Sequence, residues 1–96
     1  MTLQELRTAK REEILRLATR NGARNVRVFG SLARGENDTA SDLDFLVDLD
    51  AGRSLLDLGR LQRGLETLLA TRVDVVSARG LRERVRQRVL RDAVLL

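Results

Sequence analysis

Between Asp42 and Asp50 the chain alternates cleanly: Leu43, Phe45, Val47 and Leu49 point one way, and Asp42, Asp44, Leu46 and Asp48 the other. Such a stretch reads as a β-strand with one apolar face and one largely acidic face. The apolar face has to be covered within 96 residues. That length makes a single domain, residues 1–96, with no room for a second core. A core of this size is modest, so association with another subunit, of the same or a different kind, is expected.

The remaining elements follow from periodicity and caps. Thr2 followed by Glu5 fits a helix start, and Leu3, Leu6, Ile14 and Leu17 fall on one face of a helix that Asn21-Gly22 ends. Lys10 lies in the middle of that face and reads as a snorkelling lysine. Asn25 to Phe29 forms a first strand, stopping at Gly30-Ser31. Ser54 with Asp57 caps another helix, along which Leu58, Leu61, Leu65 and Leu68 keep helical spacing to about Ala70. Arg72 to Ser77 is a third strand. A last helix from about Leu81 places Leu81, Val85, Val89 and Leu96 on one face and Arg84, Arg88 and Arg91 on another, which reads as an amphipathic helix covering the sheet with its arginines solvated. The fold class is α/β (α+β), a small mixed sheet with packed helices.

Composition narrows the chemistry. Cysteine and histidine are both absent, which excludes disulfides, zinc fingers, thiol catalysis and imidazole bases. Catalysis has to run on carboxylates, hydroxyls or arginines. The net charge of +4 comes almost entirely from arginine, Lys10 being the only lysine. With two phenylalanines and no tyrosine or tryptophan to stack on bases, direct nucleic-acid binding is disfavoured. No apolar run approaches a membrane span and no signal-peptide core follows Met1, so a cytoplasmic protein without membrane contact is expected.

Against this background one constellation stands out: Gly30-Ser31-Leu32-Ala33-Arg34-Gly35, then Ser41-Asp42-Leu43-Asp44, then Asp74 within Arg72-Val73-Asp74-Val75-Val76. A glycine leaving a strand lets backbone approach a ligand closely, and successive N–H groups at a turn, joined by the Ser31 hydroxyl, make a nest for phosphate. Asp42 and Asp44 project from one strand face, which Asp74 could reach from a neighbouring strand. Three carboxylates without a histidine or lysine beside them call for a cation, and all-oxygen ligation selects magnesium or manganese. The combination points to metal-assisted phosphoryl chemistry. Asp48 and Asp50 continue the polar face and the strand exit and stand outside this set.

Gly-Ser, ten residues and then Asp-x-Asp resembles the signature of the DNA polymerase β-like nucleotidyltransferase superfamily. Phe29 to Gly35, Ser41 to Val47, Val73 to Val76 and Leu90-Arg91-Asp92-Ala93-Val94 resemble its minimal nucleotidyltransferase (MNT) members over nearly the whole chain. This resemblance implies a polymerase β-like fold, ATP as substrate and two Mg2+ ions. It implies that Asp42 and Asp44 bind the metals, with Asp74 the third, catalytic carboxylate, placed to help deprotonate the acceptor. Gly30 and Ser31 would hold the triphosphate, assisted by Arg34. It further implies an antitoxin that transfers AMP to a tyrosine hydroxyl of a HEPN-domain ribonuclease toxin (AMPylation). These residues include no tyrosine, so a tyrosine acceptor must lie on another protein. Two other readings remain at this point: an antitoxin that masks the toxin by binding alone, and a nucleotidyltransferase acting on a small molecule.

Overall fold

A computed structural model of the chain describes residues 1–38 and 40–96. Strand β2 (Leu43–Leu49) realises the alternation read from the sequence. Leu43, Phe45 and Val47 are buried against the helices, while Asp44 and Asp48 are only half-buried on the opposite face. β1 (Ala23–Phe29) pairs antiparallel with β2, and β3 (Val73–Ser77) pairs with it in parallel, so the sheet is mixed. A fourth strand, β4 (Val94–Leu95), extends the other edge, giving the order β3-β2-β1-β4.

β1 begins two residues earlier than its sequence pattern suggests, and a bulge explains why. Its register with β2 shifts between Arg24 and Arg27, and Asn25 sits there at φ +51°. Asparagine tolerates the left-handed region better than most residues, and its side chain donates to Asp48 at 2.8 Å. The extra residue brings Ala23 onto the same buried face as Val26 and Val28, despite the odd spacing between them.

The N-terminal helix starts as α1 (Leu3–Glu5), passes through a π-helical turn at Leu6–Lys10 and continues as α2 (Arg11–Arg20). Thr2 caps it by accepting from the Glu5 amide, as its sequence signature predicts. Lys10 is half-buried and interrupts the regular helix at φ −127°, ψ −3°. A short α3 (Gly30–Arg34) follows β1 directly. Helix α4 (Leu55–Leu69) opens with the Ser54/Asp57 capping box and buries Leu58, Leu61, Leu65 and Leu69. α2 and α4 pack together over one sheet face, where Leu6, Ile14, Ala18, Phe45 and the α4 leucines form the core.

The closing helix differs from the sequence reading. α5 is shorter (Glu83–Asp92), buries none of its residues, and ends before the chain turns into β4. Leu96 therefore belongs to the core beyond an edge strand, not to a helical face. β4 has no sequence signature because two residues carry no period, and the sheet alone decides that they pair with Arg27 and Val28. Among the described residues no helix is long and apolar enough to cross a membrane.

Candidate active site

The acidic face of the sheet meets the β1–α3 turn at its open end. Phe29, the last residue of β1, stands opposite Asp44, so Gly30 begins α3 directly beside that carboxylate. Gly30 has φ +68°, and a Cβ built on it would lie 2.6 Å from Asp44 Oδ2. Only glycine meets both conditions without strain. Among the described residues the first turn of α3 has no side-chain cap, leaving its backbone donors beside Ser31 for another acceptor.

The parallel register places Asp44 opposite Asp74. Burial first, then the charges of Asp74 and Asp42, raise the Asp44 pKa above the usual carboxylate value, while the Arg34 charge partly offsets them. Asp42 precedes β2 by one residue, and its Oδ1 forms an ion pair with Arg72 Nε at 3.1 Å. Both partners are exposed, and pairs of this kind contribute about 0–1 kcal/mol, so a cation can compete for Asp42 at little cost. Arg34 closes α3 and lies between two carboxylates, with Nη1 2.7 Å from Asp92 and Nε 3.2 Å from Glu36.

Thus the fold gathers Gly30, Ser31, Asp44 and Asp74, with Asp42 alongside but turned to Arg72. Among the described residues no three acidic groups stand ready-made as an ion cage. The donor set nevertheless fits magnesium: all oxygens, mutually repelling, with Asp44 reluctant to carry its charge uncompensated. Asp48 and Asp50, which the sequence reading left outside the site, are engaged by Arg24, Arg27 and Asn25. Two residues escaped the sequence reading. Both lie in or beside stretches that resemble the family, but nothing local gives Arg72 or Asp92 a role, and the partner of Asp92 is 58 residues away.

A glycine turn against an acidic sheet face is a geometry suited to phosphoryl chemistry, and the chain matches the nucleotidyltransferase domain family over residues 10–96. The chain belongs to that family. It is 39% identical over 94 residues to protein adenylyltransferase MntA of Thermococcus cleftensis, covering 98% of this chain and 95% of that one. A solved minimal nucleotidyltransferase shares 56% identity at a TM-score of 0.88, covering 100% of this chain and 97% of that one. A solved complex of tri-AMPylated Shewanella oneidensis HEPN toxin with MNT antitoxin matches at 21% identity and a TM-score of 0.67. That match covers 88% of this chain and 66% of the other, and at this identity the likeness is one of fold.

Proposed function

We propose that this chain transfers AMP from ATP to a tyrosine hydroxyl of a HEPN-domain ribonuclease toxin and serves as its antitoxin. The carrying observation is the in-register pair Asp44 and Asp74 beside a glycine turn too close to admit a Cβ. Similarity to an MntA protein adenylyltransferase supports AMP as the transferred group, and the likeness to a HEPN-bound MNT antitoxin supports the partner.

In this reading the Gly30-Ser31 turn holds the triphosphate, its close backbone approach setting the α-phosphorus over the acidic face. Asp42, Asp44 and Asp74 would hold two magnesium ions, which when bound supply Lewis acidity to the phosphate oxygens. The tyrosine oxygen attacks the α-phosphorus, one P–O bond forms, and the bond to the bridging oxygen breaks to release pyrophosphate. Asp74, exposed at the rim, accepts the hydroxyl proton. Because these residues include no tyrosine, the acceptor comes from the partner.

The test is intact-mass spectrometry of the HEPN protein after incubation with this chain, ATP and magnesium, beside an Asp42→Asn/Asp44→Asn control. Mass gains in AMP steps that vanish in the control are expected. A stable complex that neutralises the toxin without mass gain overturns transfer in favour of masking. Modification of small hydroxylated compounds without any protein acceptor points instead to a small-molecule enzyme.

A further inference from the structure

Arg34 is the last residue of α3, three and four positions after Ser31 and Gly30, so it shares their side of that short helix. An arginine with an exposed side chain ordinarily samples many rotamers, and an orientation aimed at one anion has to be imposed from outside. Here two carboxylates pair with the guanidinium. Glu36 is itself exposed and only two residues on, so it moves with Arg34 and fixes little. Asp92 is different. It ends α5, and two residues later Val94 pairs with Val28 of β1, so the sheet sets where its carboxylate stands. It accepts from Arg34 Nη1 at 2.7 Å. Among the described residues the second terminal nitrogen, Nη2, has no partner and remains available to an anion.

We propose that Asp92 is a positioning residue: by holding Nη1 of the Arg34 guanidinium it aims the free Nη2 at a phosphate group seated on the Gly30-Ser31 turn. This inference rests on the nucleotide-transfer reading of the site. α5 buries no residue of its own, so the Asp92–Arg34 contact also couples this lightly held helix to the nucleotide.

The experiment measures Mg·ATP binding by calorimetry without acceptor protein, with thermal melting as a check on folding. Asp92→Asn is expected to weaken binding about three- to tenfold, the effect of losing one charge-assisted orienting contact. Arg34→Ala is expected to weaken it at least as much, and the double variant no further than Arg34→Ala alone, because both changes remove one interaction. Arg88→Ala, an exposed charge loss on the same helix, should bind as the parent does. Unchanged or tighter binding by Asp92→Asn, or losses that multiply in the double variant, overturns the proposal while leaving the transfer reading intact. If Asp92→Asn fails to fold, Arg34→Lys replaces it: the charge stays but the two-edged fork is lost. Parent-like affinity in that variant is equally an overturning result. A folded parent that binds no Mg·ATP at all defeats the nucleotide reading, and this inference with it.

Discussion

At Gly30 a left-handed backbone and a carboxylate oxygen 2.6 Å from any Cβ coincide, and at Asp44 burial coincides with two like charges. Gly30→Ala is therefore expected to cost about 1–3 kcal/mol in urea unfolding and to abolish AMP transfer by displacing Asp44. Asp44 works against the fold when no cation is bound, so Asp44→Asn is expected to raise the Tm measured in EDTA while eliminating transfer. Asp57 has the opposite sign. The Ser54 amide, then Arg53 and Arg60, hold its pKa below the usual carboxylate value despite its burial. Its contribution is present above the unfolded-state value of about 3.9 and is lost as pH falls through the lower folded value. The gap in urea midpoint between the parent and Asp57→Asn should be full near neutrality and begin to shrink only as pH falls below about 4.

At the scale of elements, the same residues show how α4 is started and how it guards the sheet. The Ser54 hydroxyl accepts from the Leu56 amide, while Asp57 Oδ2 accepts from the Ser54 amide at 2.9 Å. Ser54→Ala is expected to cost about 1 kcal/mol. In a domain of this size that lowers Tm by roughly 4–8 °C, readable by circular dichroism. One helical turn apart on α4, Gln62 and Glu66 accept from the outward amides of Val75 and Val73. The edge of β3 is thereby closed to pairing with another chain by side chains of its own covering helix. Gly64 lets α4 pack closely on α2, since a Cβ there would lie 3.1 Å from Leu17 Cδ2 and that side chain would have to give way by a few tenths of an ångström.

Across the whole molecule, the N-terminal helix holds the C-terminal strand. Arg7 donates to the carbonyls of Leu95 and Leu96, Arg11 donates to Leu96, and the Leu96 amide donates to Val26. β4 has only two exposed residues and little burial of its own, so these long-range bonds and the Leu96 side chain keep it in place. In the double variant Arg7→Ala/Arg11→Ala, hydrogen exchange at the Leu96 amide should accelerate while the amide of buried Phe45 stays protected. Equal acceleration at both amides would show instead that the ends of the chain and the core unfold as one unit.

What the sequence by itself determined is whatever repeats within a few residues. The alternation of β2, the Thr2 and Ser54 caps, the leucine face of α4, the Gly30-Ser31 turn and the pair Asp42 and Asp44 all depend on neighbours one to four positions apart. The tertiary structure alone decided what depends on which strands become neighbours. It set Asp74 in register with Asp44, gave Asp42 an arginine partner, tied Arg34 to Asp92, and turned Val94 and Leu95 from an expected helical tail into an edge strand. The bulge at Asn25 is of the same kind: it is needed only because Ala23 and Val28 must face one core across an odd spacing. Local periodicity records which face a residue presents, and only the assembled sheet determines what that face meets.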